Sequence, residues 1–315
     1  MKVLLEVTHE TRYEYATPVS LAHHLAHLQP LQDEHQRLQM FDLSISPRPG
    51  QHRNGIDAMG NAECHFSLAQ PHRELQVLAC SRLELKPRFA DLQPATSPSW
   101  DALAARLRYV AQGPFESAVE FALLSPYVPR LAFLRDYGAS SFTPGRPLAA
   151  AAIELMQRIH ADFRYESLST DIDTPLSAVW ASKRGVCQDF AHLMAGVMRM
   201  RGLPVRYVSG YLLTHAPDGG AKMQGADASH AWVQVWCPGT EGVPADGWLD
   251  LDPTNDIVPG SGHIRVAVGR DFGDVTPLRG VIRGGGHHAL SVGVTTRRVA
   301  PPGGLSTGPE RELLA

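Results

Sequence analysis

The sequence predicts an α+β protein, and three observations carry that prediction. The first 90 residues contain short segments in which apolar and polar residues nearly alternate, the period of strands with one buried face. An apolar pattern at helical spacing starts at Cys187 and runs to Arg201. Two strand-like segments, Ser229–Trp236 and Gly247–Asp252, follow that helix and are separated by a loop.

Taken in order, Val3, Leu5 and Val7 alternate with Leu4, Glu6 and Thr8, and the segments FDLSISP, AECHFSLAQ and ELQVLACSRLELKP read as further strands. The turn stretch from Gly55 to Asn61 separates two of them. Residues 1–90 are therefore expected to form a small β-sandwich. Within it, Leu21–Leu28 (LAHHLAHL) fits either a short helix or a strand. Over 91–147, Pro94, Pro98, Pro126, Pro129, Pro144 and Pro147 punctuate short helical pieces such as DALAARLRYVA, which reads as a linker leading into a helical subdomain. A helix over Leu148–His160, with Ile153, Met156 and Ile159 on one face, opens the core expected over 148–298. HIRVAVG and HHALSVGVTTRRVA read as strands closing the sheet of that same domain, and 299–315 reads as a frayed tail.

The composition narrows the class. The hydrophobic fraction of 43% is enough for an ordinary buried core. With 29 basic against 32 acidic residues, the chain has no electrostatic footprint for nucleic acid or an anionic membrane surface. The start MKVLLEVTHETRYEY lacks the apolar stretch of a signal peptide, and no segment approaches the ~18 apolar residues of a membrane helix. Four cysteines without a CxxC pair fit a reducing compartment better than a disulfide scaffold. The expectation is a soluble cytoplasmic protein acting on a peptide or protein substrate, with no nucleic-acid or membrane partner and no cofactor.

The chemistry concentrates after residue 148. Cys187 follows Lys183-Arg184-Gly185-Val186 at the predicted start of a helix whose apolar face holds Phe190, Ala191, Met194, Val197 and Met198. Gly202 and Pro204 end that helix. A cysteine at a helix N-terminus feels the positive end of the macrodipole, and its reactive thiolate is favoured there. Free backbone N–H groups of the first turn can also serve an oxyanion. On local context alone, a buried structural cysteine is the equal alternative.

His230, Trp232, Gln234 and Trp236 share one face of a strand. Gly247–Asp252 gives a second strand, ended by Pro253. If the two pair as a hairpin with Trp236 opposite Asp246, then His230 stands opposite Asp252, at the ~4.5–5.5 Å between Cβ atoms that lets a carboxylate hold an imidazole. With that register Cys187 is the nucleophile, His230 the base and Asp252, chosen over Asp250, its orienting partner; a two-residue slip would reverse the choice between the two aspartates. The plain alternative for Asp252-Pro253-Thr254-Asn255 is an Asx-type turn.

These residues lie in the strings GVCQDFAHLMAGVMRMRGLPVRYVSGYL, ASHAWVQVW and GWLDLDPTND, which resemble the transglutaminase-like superfamily in its bacterial two-part members. The start THETRYEYATPVSLAHHLAHLQP resembles the β-rich N-terminal region of those proteins, and HIRVAVGRDFGDVTPLRGVIRGGG resembles their C-terminal section. The resemblance covers about residues 1–298. It implies a papain-like core, with a Cys-bearing helix packed on an antiparallel sheet, and puts the family triad on Cys187, His230 and Asp252. Animal transglutaminases use an upstream tryptophan at the oxyanion, but Trp180 stands only seven residues before Cys187. Tyr165 is the better aromatic donor candidate, with Gln188 and Asn255 as further oxyanion or supporting candidates. No counterpart of the animal calcium sites is visible.

The expected activity is thiol-dependent acyl transfer on an amide, with hydrolysis favoured over crosslinking to amines because no amine-guiding acidic cluster is apparent. A non-catalytic peptide-binding module and a zinc site of Cys187, His230 and Asp252 are the rival readings. His23, His24 and His27 lack a third ligand or a glutamate at zincin spacing, so no metal is expected there. His192 reads as a buried hydrogen-bonded side chain, and Trp232, Trp236 and Trp248 as sheet core.

Overall fold

Alternating burial organises the N-terminal half around one long strand, β1 (Val3–Ala26). The structure, a computed structural model, describes residues 2–167, 169–213 and 229–299. Along the first half of β1, Leu5, Val7, His9 and Thr11 point inward, and the strand pairs with β5 (His72–Leu85) on one side and β13 (His288–Arg298) on the other. Beyond Val19 it pairs instead with β4 (Ala62–Leu68) and β12 (Leu278–Gly284). β2 (Gln36–Ser46) and β3 (Gln51–Ile56) complete a seven-stranded antiparallel sheet at its two ends.

Two features refine or differ from the sequence reading. LAHHLAHL is strand through Ala26, with Ala22, His24 and Ala26 buried in alternation, because two neighbours satisfy its backbone and outweigh local helix preference. The β-rich strands are linked through β1 into one hydrogen-bonded network, and Val19, Ala22 and Phe66 share a cluster with Leu75, Val77 and Ala79. Finally, β12 and β13 pair with β1, so the chain returns to the N-terminal sheet after the core instead of closing the core's own sheet.

Between them lie α1 (Trp100–Arg106), α2 (Ala132–Tyr137), α3 (Leu148–Asp162), β6 (Arg164–Tyr165), α4 (Leu176–Ser182), β7 (Arg184–Gly185) and α5 (Cys187–Arg199). The core sheet is antiparallel in the order β10-β9-β8-β11, from β8 (Val205–Leu212), β9 (Ser229–Trp236), β10 (Trp248–Leu251) and β11 (His263–Gly269); α6 (Phe272–Val275) follows. Every residue of α5 from Asp189 to Arg199 is buried, as a helix enclosed on all sides requires. It packs on β8 and β9, with α2, α3 and α4 around it. Gly202, at φ +74°, takes the left-handed position that ends α5.

The two parts are joined at the free edge of β11. The buried side chain of Asn61 donates to Val268 O (2.8 Å) and accepts from Val268 N (2.8 Å). Gln36 does the same at Arg265, at 2.7 and 2.9 Å. These two amides cover an edge that would otherwise leave ladder groups unpaired. Around them Leu5, Val7, Leu83 and Leu85 pack on Tyr211, Ile264 and Val266. No helix among the described residues is long and apolar enough to cross a membrane.

Candidate active site

Cys187 is the first residue of α5 and is half-buried. Its approach is held by Asp189, whose Oδ2 accepts from Val186 N (2.8 Å) and from Thr170 Oγ1 (2.6 Å). A Cβ on Gly185 would lie 2.8 Å from both Cβ and Oδ2 of Asp189, so only glycine lets the chain pass this close. An acidic residue three places into a helix is half of a capping box, a signal that the sequence carried for Asp189.

The hairpin register differs by two residues from the one assumed. Trp236 pairs with Trp248, and Asp250 with Gln234. Asp252 therefore lies beyond the last ladder pair, Leu251 with Val233. It still meets His230, because a two-residue shift keeps side chains on the same face and because Asp252 turns there, bridged to Ile257. His230 Nε2 is 2.8 Å from Asp252 Oδ2. The Asx turn forms as well: Asp252 Oδ1 accepts from Thr254 N (3.0 Å) and Asn255 N (3.2 Å). One carboxylate oxygen makes the turn and the other faces the imidazole.

Oδ2 has two more donors. Asn255 Nδ2 lies 2.7 Å away and His263 Nε2, from the start of β11, 3.0 Å. Burial by itself raises the Asp252 carboxyl, but the hydrogen bonds from His230 and His263, the His230 charge and the Asn255 bond hold it well below the usual carboxylate range. Burial likewise opposes a charged His230, yet hydrogen bonds to Asp252 and Cys187 and the charges of both push it up to about 10. Since Nε2 serves Asp252, Nδ1 is the ring nitrogen left for the thiol.

Cys187 and His230 line one cavity of about 310 Å³. Gln188 also lines it, with its Nε2 donating to Ile172 O (3.1 Å). Tyr165 does not: its side chain is half exposed, and its backbone pairs with Gly185 in β6–β7. The tyrosines on the cavity wall are Tyr13 and Tyr207. Burial, with the charges of Cys187 and Asp189, holds the Tyr207 phenol well above its ordinary range, so it stays a neutral O–H donor. Trp180 sits elsewhere, stacked on Phe133 with the Lys183 ammonium over its ring. His192 is buried, accepts from Phe272 N (3.2 Å), and is pushed down to about 3 by burial and Arg199.

His230, Asp252 and His263 bring three ligand atoms within 4.8 Å of one another, the metal-capable group among the described residues. Their separations are those of N–H···O bonds, and protons alone account for the arrangement. Cys187 is not among them, so the zinc reading built on Cys187, His230 and Asp252 loses its sulfur. Sequence reasoning missed His263, Tyr207 and the cavity wall from β1 and β13. Tyr207, His263 and the β1 residues lie within strings that show the resemblance, but nothing local in those strings marks these side chains as facing the site.

The bacterial transglutaminase-like N-terminal region matches residues 5–84, and the transglutaminase-like superfamily matches residues 138–253. An uncharacterized protein of Mycobacterium tuberculosis is 40% identical over 274 residues, 85% of this chain and 84% of that protein. A protein-glutamine gamma-glutamyltransferase of Pseudomonas aeruginosa is 32% identical over 135 residues, 42% of this chain but 19% of that enzyme. The crystal structure of a candidate cysteine protease from Cytophaga hutchinsonii superposes with a TM-score of 0.71 at 17% identity, covering 96% of this chain and 92% of that one, which is a likeness of fold.

Proposed function

The chain belongs to the transglutaminase-like superfamily, and from that premise we propose that it performs thiol-dependent acyl transfer with Cys187 as nucleophile, His230 as acid–base group and Asp252 as its orienting carboxylate. One observation carries the reading. Cys187 heads a helix beside His230 in the same cavity, and that imidazole is bound at 2.8 Å to a fully buried aspartate.

A proton held on His230 favours a thiolate beside it, and the helix N-terminus favours it further. The sulfur attacks an amide carbonyl. Negative charge then develops on the carbonyl oxygen, where the first-turn N–H groups of α5 and the Tyr207 hydroxyl are the donors on hand. His230 gives its proton to the leaving amine, and Asp252 keeps the ring in one tautomer throughout. The thioester is resolved by water, with His230 taking the proton of the attacking molecule. The lining holds no carboxylate among the described residues to draw in an amine, which supports hydrolysis over crosslinking. Crosslinking is the second reading, favoured by the glutamyltransferase relative.

A peptide-library screen with wild type and Cys187→Ala, read by mass spectrometry with and without an amine donor, tests this. Cleavage or deamidation lost in Cys187→Ala is the expected result, and a mass gain equal to the amine minus ammonia selects crosslinking. Turnover that survives in Cys187→Ala, or iodoacetamide labelling no faster at Cys187 than at the buried Cys64 and Cys237, overturns the proposal.

A further inference from the structure

The cavity at Cys187 has two walls of different origin. One belongs to the core, including Ile172 and Phe272. The other comes from the N-terminal sheet: His9, Thr11 and Tyr13 of β1, and Leu290 and Val292 of β13. Thr11 pairs with Val292 and Tyr13 with Leu290, so all four side chains stand on one face of the sheet and turn it toward the nucleophile.

The composition of this lining is informative. Among the described residues that line it, none is Asp, Glu, Lys or Arg. His9 adds no charge at neutral pH: burial pushes it down to about 4, and its ring nitrogens are engaged by Tyr211 Oη (2.9 Å) and Thr11 Oγ1 (3.1 Å). A volume of about 310 Å³ is at the small end of ligand pockets, which run ~300–1,000 Å³. Apart from the Cys187–His230 pair, whose opposite charges offset one another, a charged group entering the site meets no ionised partner among the described lining residues and loses its water, the costliest transfer for any side chain. An apolar group gains about threefold or more in binding for each methylene it buries.

The geometry points to an uncharged, apolar acyl group as the moiety this cavity takes, with the β1–β13 face as the wall that selects it. The inference rests on the acyl-transfer reading above and gives it a substrate class. Leu290 and Val292 are each about half exposed, at 50% and 48%, so a substitution there changes the wall without opening the core.

The test uses the full chain and three p-nitrophenyl esters: the acetate, the 5,5-dimethylhexanoate and its isosteric cation, the 4-(trimethylammonio)butyrate. In each, the Cys187 sulfur bonds to the acyl carbon and p-nitrophenolate leaves with the C–O electron pair. Water then cleaves the thioester to the carboxylic acid and returns the thiol. Expected for wild type is a kcat/KM at least about tenfold higher for the dimethylhexanoate than for the acetate, and about thirtyfold higher than for the cation. Val292→Glu should shrink the gap between the isosteres by at least about tenfold, since it offers the cation a partner. Leu290→Glu is the second variant should the first fail to fold. Equal turnover of the two isosteres by wild type, or a gap unmoved by the folded variant, overturns the inference while Cys187-dependent turnover leaves the acyl-transfer reading standing. Ester turnover that persists in Cys187→Ala overturns both.

Discussion

At the scale of single residues, Asp252 decides the electrostatics of the site. Its side chain takes five N–H donors, two on Oδ1 and three on Oδ2, and so remains ionised while His230 is held at about 10. Asp252→Asn removes that charge; the expected loss in turnover is about 10²–10⁴-fold. The ring of His230, followed by NMR, should titrate near 10 in wild type and at a lower pH in the variant. Stability follows the same shift. A histidine raised in the folded state contributes stability that is fully present below its unfolded pKa of ~6.5 and is lost as pH rises through about 10. The melting temperature should therefore fall more between pH 8 and 10.5 in wild type than in Asp252→Asn. His263 acts through Asp252, since its Nε2 meets Oδ2 and not the thiol. His263→Leu should lower turnover by about tenfold or more by loosening the carboxylate, and the NMR titration of His230 should move. His263→Asn, which keeps an N–H donor, should recover part of both; equal loss in the two variants would mean that His263 only fills space.

At the scale of elements, the start of α5 sets where the sulfur stands. β7 delivers Gly185 against Asp189, and Asp189 holds Val186 N, so the turn before Cys187 has one conformation. Gly185→Ala puts a methyl 2.8 Å from Asp189 Oδ2 and should cost about 1–3 kcal/mol in chemical denaturation. Iodoacetamide labelling of Cys187 should slow in the same variant, even under conditions where it is fully folded. Labelling that keeps its wild-type rate would show that the loop can yield without moving the Cys187 sulfur. The hairpin makes a related point. β9 and β10 pair two residues out of the assumed register, and His230 reaches Asp252 because the chain leaves the ladder after Leu251 and turns back at Asp252.

At the scale of the whole molecule, the N-terminal sheet is part of the candidate site. It supplies a wall of the cavity, and its buried amides Gln36 and Asn61 complete the edge of β11, the strand that carries His263. Asn61→Ala leaves both Val268 N and Val268 O without these partners and should destabilise by about 1–3 kcal/mol for each unpaired group. Because Leu5, Leu83, Tyr211 and Ile264 share one cluster, denaturation followed by tryptophan fluorescence, which reports the core, and by backbone signals from the N-terminal sheet should give coincident transitions. Separated transitions in wild type would show that the sheet and the core fold independently.

Local pattern carried much of this protein in the sequence alone. Period-two burial marked most of the N-terminal strands, helical spacing marked α3 and α5, and glycine at 202 marked the end of α5, because each depends on neighbours within a few residues. The same strings named Cys187, His230 and Asp252 as residues to bring together. What the tertiary structure decided was everything that depends on non-local pairing. The return of β12 and β13 to β1, the hairpin register, the place of His263 beneath Asp252, and Tyr207 instead of Tyr165 at the cavity all come from strands far apart in the chain. A strand's pattern says which face is buried, and nothing in it says which partner will cover that face.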